Sequence, residues 1–248
     1  MIRRFGLIGY PLGHSFSPDY FARKFKQDKI SDCVYDTFEI QSINELNHVL
    51  QKHQDIQGLN VTIPYKEAVI PYLNELSEEA KLIGAVNTIQ FIKEAKGLKK
   101  IGHNTDVQGF RDSLSDLIGS ARPAALVLGS GGSSKAVCYV LREMGIAFHI
   151  VSRSGSEKTI SYGSLTAKTI QKHSLIINTT PLGMHPKVDT KPLIPYKGLS
   201  SNHFLFDLVY NPEITAFMKE GNFAGAKTKN GFDMLMLQAE ASWRIWNQ

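Results

Sequence analysis

One stretch constrains this chain more than any other. An apolar run at 124–128, Ala-Ala-Leu-Val-Leu, passes directly into Gly129-Ser130-Gly131-Gly132-Ser133-Ser134, and a helical pattern follows over 135–144. Strand, glycine turn and helix in that order open a parallel, doubly wound α/β unit. Gly129 permits the tight turn. Gly131 lets the backbone approach a pyrophosphate. The helix N-terminus then offers free N–H groups and a positive dipole end to phosphate. Ser134 stands where such loops usually carry a third glycine, and it is small enough for close helix–strand packing. The context predicts a dinucleotide site with Gly129, Ser130, Gly131, Gly132 and Ser133 as its phosphate loop.

The residue that reads the adenine ribose belongs about twenty positions on, at the end of the next strand. That strand, 148–151, runs into Ser152-Arg153-Ser154. An NAD site carries Asp or Glu there. This loop has no acid and does have a guanidinium, which can pair with a 2′-phosphate through charge-assisted hydrogen bonds. The expected cofactor is therefore NADP, bound by Arg153 with Ser152 and Ser154 beside it.

Strand-like and helix-like segments alternate along most of the remaining chain, the pattern of α/β architecture with mainly parallel sheets. The first hundred residues read as strands at 5–8, 34–39, 57–61 and 85–92, with helices at 17–27, 43–53 and 77–83. Gly97 marks a hairpin turn toward 100–102. A helix is predicted over 107–117, and Pro123 ends the segment after it. A second domain starts near 107, with further strands at 148–151, 175–178 and 204–209, a helix at 164–172 and a final helix at 232–245.

Composition removes several classes of function. Of 248 residues, 42% are hydrophobic and 21% charged, as in soluble globular proteins. No apolar run approaches the ~20 residues that cross a bilayer, so no membrane is expected. Cys33 and Cys138 form no disulfide framework or zinc motif, and His14, His103 and His149 are isolated, so no metal is expected. A reducing cytoplasm suits two free thiols. The net charge is +5, but the basic residues are scattered and Arg3-Arg4 and Lys99-Lys100 lack interleaved aromatics. A small anionic substrate is expected, and no nucleic acid.

Four polar clusters remain in the first half: Gly9-Tyr10-Pro11-Leu12-Gly13-His14-Ser15-Phe16-Ser17-Pro18, Gly58-Leu59-Asn60-Val61-Thr62-Ile63-Pro64-Tyr65-Lys66-Glu67, Gly84-Ala85-Val86-Asn87-Thr88 and Gly102-His103-Asn104-Thr105-Asp106-Val107-Gln108-Gly109-Phe110. Each alone reads as a turn or cap, with Ser17 as a helix N-cap before Pro18. In this order, and followed by Asn178-Thr179-Thr180-Pro181-Leu182-Gly183-Met184, Asp207-Leu208-Val209-Tyr210-Asn211-Pro212 and Asn230-Gly231-Phe232-Asp233-Met234-Leu235, the chain resembles the shikimate dehydrogenase family over essentially its whole length.

That resemblance implies two α/β domains. A substrate-binding domain, 1–106 with 230–248, has a mainly parallel sheet and takes back the C-terminal helix. A Rossmann-like NADP domain spans 107–229. The implied activity is NADPH-dependent reduction of 3-dehydroshikimate to shikimate. Lys66 and Asp106 match the catalytic pair. Ser15 and Ser17 match the hydroxyls that hold the substrate carboxylate, and Asn60 and Thr62 lie in the same binding block. Asn87 and Gln238 match side chains on the ring hydroxyls, and Tyr210 a tyrosine beside the substrate. Thr179 and Gly231 match positions along the cofactor. A monomer or homodimer in the cytoplasm is expected.

The chain departs from the usual pattern at Asp19-Tyr20-Phe21-Ala22, where His-Asn is common, at Ser152-Arg153-Ser154, where Asn-Arg-Thr is common, and at Ala216, where proline is frequent. None of these removes a catalytic group. A quinate/shikimate relative shares the chemistry, and the missing acid at 152–154 speaks against an NAD-preferring form. The blocks around Ser15, Ser17, Lys66 and Asp106 argue against a methylenetetrahydrofolate dehydrogenase. An NADP-binding sensor without activity is disfavoured by the presence of both Lys66 and Asp106.

Overall fold

A computed structural model describes residues 2–13, 15–95 and 97–248. His14 therefore lies outside the described residues. The chain divides into two compact units, Met1–Thr105 with Ala239–Gln248, and Asp106–Gln238.

The first unit is built in chain order from β1 (Arg3–Gly9), α1 (Ser17–Gln27), β2 (Cys33–Glu39), α2 (Leu46–Lys52), β3 (Ile56–Val61), β4 (Glu75–Leu76), α3 (Glu78–Ile83), β5 (Thr88–Glu94) and β6 (Gly97–His103). The sheet order is β2-β1-β3-β5-β6-β4. Strand β1 runs parallel to both β2 and β3, and β4 parallel to β6, while β5 is antiparallel to β3 and β6. The mainly parallel sheet expected is thus a mixed one with a hairpin at β5–β6.

Several boundaries move for local reasons. The predicted strand at 85–92 begins only at Thr88. Gly84 is left-handed and closes α3, and Val86 N–H turns aside to Lys66 O at 2.7 Å. The helix expected at 43–53 opens as a 3-10 turn over Ile43–Glu45. There Ser42 and Glu45 form a reciprocal capping box, and α2 follows.

The second unit comprises α4 (Asp106–Ile118), β7 (Ala125–Leu128), α5 (Gly132–Glu143), β8 (Phe148–Ser152), β9 (Thr159–Ser161), α6 (Ala167–Lys172), β10 (Leu175–Asn178), β11 (Phe204–Asp207), α7 (Ala216–Phe223), β12 (Lys227–Lys229) and the start of α8 (Phe232–Trp246). Its strands are all parallel in the order β12-β11-β10-β7-β8-β9. Central β7 and β10 are buried at every position, which explains why they are apolar throughout save for Asn178 at the end of β10. Strand β9, helix α7 and strand β12 were not predicted. β9 and β12 are three-residue polar strands, and α7 contains Gly221 and Asn222.

Residues 230–238, expected with the first domain, group with the second unit. Here α8 lies tight on α4: a Cβ at Gly109 would stand 2.5 Å from Met234 O. The last ten residues of the chain, Ala239–Gln248, belong to the first unit. The Trp246 indole is core there. Trp246 stacks on Phe5 with centroids 4.9 Å apart, and its Nε1–H donates to Ile89 O at 3.0 Å.

Candidate functional site

In the second unit β7 is flanked by β8 on one side and β10 on the other, so the chain order reverses at β7. In open α/β sheets a crevice opens past the strand ends at such a point. The glycine turn lies there. Gly129 has φ +115°, and a Cβ on it would lie 2.6 Å from Thr179 Oγ1, so the position requires glycine twice over. Thr179 sits just past β10 and donates to Leu128 O at 2.8 Å, tying the two strand ends together. Gly131 is extended, and a Cβ there would meet nothing within 4 Å. The first glycine is thus required by the protein's own packing. The second keeps open space in front of the backbone.

Helix α5 starts at Gly132, three residues before the expected 135. Gly and Ser are poor helix formers and hid this turn in the sequence. Ser134 is buried and donates to Gly131 O at 2.6 Å. No side chain caps the helix, so its first turn suits an anion. At the end of β8 the Ser152 hydroxyl pairs with Thr159 Oγ1 at 2.8 Å and accepts from Gly155 N–H at 3.2 Å. It closes its own loop, and Arg153 and Ser154 stand exposed at the tip.

Two further loops leave the sheet beside this turn. Asp207, the last residue of β11, is fully buried. Its Oδ1 accepts from Asn178 Nδ2 at 2.9 Å and Val209 N–H at 3.0 Å, and its Oδ2 from Thr215 Oγ1 at 2.6 Å. Burial pushes its pKa up to about 6, against the pull of those hydrogen bonds. The bond to Val209 N–H is also why the strand expected to reach 209 stops at Asp207. Beyond it, Leu208 O approaches Gly231 so closely that a Cβ on that glycine would lie 2.2 Å away. Tyr210 is half-buried, Asp106 is the buried first residue of α4, and Gln238 Nε2 donates to Leu235 O at 2.9 Å.

In the first unit, parts of all four polar clusters meet. The chain past β1 and the chain past β3 leave two adjacent parallel strands, and so the same end of the sheet. Thr62 N–H donates to Ile8 O at 2.9 Å, and Tyr10 N–H to Ile63 O at 3.1 Å. Lys66 O takes Val86 N–H, and Asn87 N–H donates to His103 O at 3.1 Å, which brings in the third and fourth clusters. Ser15, Thr62 and Lys66 are half-buried, and Ser17 is buried.

The N-cap expected at Ser17 is not made. The cap position is Phe16, without a side-chain hydrogen bond. Ser17 instead lies buried near the Tyr35 phenol, which burial holds well above its ordinary pKa. Tyr35 donates to Asn60 Oδ1 at 2.8 Å, and Asn60 Nδ2 reaches Asn87 O, Thr88 Oγ1 and Ser242 Oγ at 3.3, 3.2 and 2.9 Å. Ser242 Oγ also pairs with Thr88 Oγ1 at 2.8 Å, and Asn87 Oδ1 accepts from Thr105 N–H at 2.7 Å. The Asn60 amide is thus consumed by protein partners. Tyr35, Thr88 and Ser242 were missed by the sequence reading. The available signal was Ser242, a polar residue amid the apolar face of the last helix. Among the described residues no group of three or more His, Cys, Asp or Glu could hold a metal ion, and no helix is long and apolar enough to cross a membrane.

A parallel sheet with a glycine turn at its reversal point, joined to a second α/β unit whose polar clusters converge, defines a two-unit protein with a Rossmann-like nucleotide sheet. Comparison with known proteins narrows this. The family model for the shikimate dehydrogenase substrate binding domain matches residues 7–89. The chain is 38% identical to the shikimate dehydrogenase (NADP(+)) of Methanococcus vannielii, over 97% of this chain and 90% of that protein. A crystal structure of shikimate dehydrogenase from Aquifex aeolicus superposes with TM-score 0.87 at 32% identity, covering 99% and 92% of the two chains. The Thermus thermophilus enzyme in complex with NADP(H) and shikimate gives 0.86 at 28%, covering 99% and 93%. The chain belongs to the shikimate dehydrogenase family.

Proposed function

We propose that this chain catalyses the reversible NADPH-dependent reduction of 3-dehydroshikimate to shikimate, the step that leads toward chorismate and the aromatic amino acids. The observation that carries this reading is similarity along nearly the whole chain to enzymes named for that reaction with NADP(+). The glycine turn supports it, because Gly131 faces open space where a pyrophosphate needs room. When bound, NADPH supplies the hydride.

The chain's own groups have separable tasks. In our reading 107–229 supply the cofactor site except for Gly231, and 1–106 with 230–248 supply the substrate site except for Tyr210. Gly129 to Ser133 hold the diphosphate. Arg153 and Ser154 bind the 2′-phosphate, while Ser152 shapes their loop. Thr179 and Gly231 line the nicotinamide end. Ser15, Ser17 and Thr62 bind the substrate carboxylate, Asn87 and Gln238 the ring hydroxyls, and Tyr210 flanks the ring. Asn60 acts through the network that holds Tyr35 and Ser242. The Lys66 ammonium stabilises charge on the ketone oxygen and gives the proton. Asp106 orients that ammonium and an adjacent hydroxyl. The enzyme works in the cytoplasm as a monomer or homodimer.

Absorbance in the NADPH band, read with purified protein, shikimate and NADP⁺, tests the assignment. Turnover is expected with NADP⁺ well above NAD⁺. Lys66→Ala is expected to lower kcat by roughly 10²-fold, the range of a positioned acid–base group, with the KM for NADP⁺ unchanged. Absence of turnover in the wild type, or normal kcat in the variant, would sink this reading.

A further inference from the structure

The polar groups at the strand ends of the second unit do not all face outward. One of them, the Asp207 carboxylate, is spent on Asn178 at the end of β10 and on Val209 N–H and Thr215 in the loop after β11. Asn178, held by Oδ1, itself accepts from Thr180 N–H and Thr180 Oγ1 at 3.0 and 2.6 Å and donates to Leu182 O at 3.3 Å. This shapes the loop after β10. Val209 N–H, on the same Oδ1, sets the first turn after β11. Thr215, on Oδ2, closes the far end of that loop and caps α7 by accepting from Met218 N–H at 3.2 Å. A single acceptor-only group thereby joins the loop after β10 to both ends of the loop after β11.

The joined loops carry what the proposed cofactor site needs at its nicotinamide end. Thr179 belongs to the first loop and is tied to Leu128 O beside the glycine turn. Leu208 and Tyr210 belong to the second. Val209 O accepts from Gly231 N–H at 3.3 Å, and Leu208 O presses on Gly231. A carboxylate suits this task because it accepts on both oxygens in several directions and never competes as a donor. Three donors converging from two loops could not be satisfied by a lone hydroxyl.

We infer that Asp207 is a positioning residue that sets the loops after β10 and β11 for the nicotinamide half of the dinucleotide, acting through Asn178, Val209 and Thr215. The inference rests on the cofactor reading above. It separates the two halves of the ligand. The adenosine half is bound at the glycine turn and the 152–154 loop, which Asp207 does not touch. The nicotinamide half depends on the latch.

The test uses two probes, NADP⁺ and adenosine 2′,5′-bisphosphate, titrated calorimetrically into wild type, Asp207→Ala and Asp207→Asn, with steady-state kinetics alongside. Asn keeps one carbonyl oxygen for Asn178 and Val209 but offers Thr215 an N–H in place of an acceptor, so it preserves the fold if Ala does not. Expected for Asp207→Ala are a Kd for NADP⁺ raised about 10-fold and a kcat lowered about 10-fold, the scale of a slightly misplaced reactant. Asp207→Asn falls between it and the wild type. Adenosine 2′,5′-bisphosphate binds all three proteins within about 2-fold, and the KM for shikimate moves little. Parallel weakening of both probes would mean a general loss of the unit and overturn the inference. Unchanged NADP⁺ binding and kcat in both variants would overturn it too. Failure of the wild type to bind either probe would instead count against the cofactor reading itself.

Discussion

Each unit buries a polar network beside residues of the proposed site, and the two networks are built from different chemistry. In the first unit Tyr35, Asn60, Asn87, Thr88, Thr105 and Ser242 form a neutral cage. Each member can both give and take a hydrogen bond, so the cage closes on itself without charge. In the second unit one carboxylate gathers donors from two loops. A neutral cage spreads its energy over many weak, replaceable bonds. A single acceptor concentrates it, and it adds the cost of burying charge. The first arrangement suits a platform that stays unchanged while substrate comes and goes. The second suits two loops held in one register.

The largest contrast should appear in stability. Asp207→Ala strands three donors at once and is expected to destabilise the second unit by about 4 kcal/mol, since each buried donor left unpaired costs roughly 1–3 kcal/mol. Ser242→Ala removes one member of a cage whose other members can re-pair, and about 1.5 kcal/mol is expected. Hydrogen exchange resolved by unit is the proper readout, because two units need not unfold together. Equal losses would erase the distinction between cage and hub.

The next contrast is with pH. Asp207 is raised from its ordinary 3.8 to about 6 in the folded chain. Between those values the folded state binds more protons than the unfolded one. Its contribution is therefore full below about pH 4 and lost as pH rises through 6, amounting to about 3 kcal/mol at 1.36 kcal/mol per pKa unit. In the first unit His103 responds in the opposite sense. Burial lowers its pKa, the Glu75 carboxylate only partly offsets this, and its buried Nε2 has no hydrogen-bond partner among the described residues. Stability from His103 is present above the usual histidine pKa of ~6.5 and is lost as pH falls below it. Lowering the pH from 7 to 5 should raise the opening free energy of the second unit and lower that of the first, once exchange rates are divided by the pH-dependent intrinsic amide rate. Asp207→Asn should abolish the first effect alone. Opening free energies that move in the same direction in both units would refute this.

The smallest contrast lies within the glycine turn. Gly131→Ala has room for its methyl and an ordinary backbone angle, so stability should hold while NADP⁺ affinity falls about 10-fold, or about 1.4 kcal/mol. Gly129→Ala meets Thr179 at φ +115° and should lose stability as well. Thermal melts beside NADP⁺ titrations separate the two. A Gly131→Ala protein that binds normally would show that the open space there is not used by the ligand.

Some of this was decided by sequence alone. The buried runs at 125–128 and 175–178, the glycines between strand and helix, and the missing acid after β8 follow from local composition and short-range order. Hydrophobic periodicity and backbone freedom act over a few residues, so one chain displays them without its partners. The four polar clusters were legible as unusual turns for the same reason. Their convergence was not, because β1, β3, β5 and β6 become neighbours only by pairing, across separations the chain does not advertise. Only the tertiary structure took the cap from Ser17 and buried it near Tyr35, and consumed the Asn60 amide inside a cage. It also placed Ser242, from the far end of the chain, against Thr88. The same holds for Asp207, one acid among many in sequence. Its burial and its three donors come from loops that meet only when β10 and β11 lie side by side. Hydrogen bonds between distant segments and the desolvation that gives them weight are properties of the packed molecule.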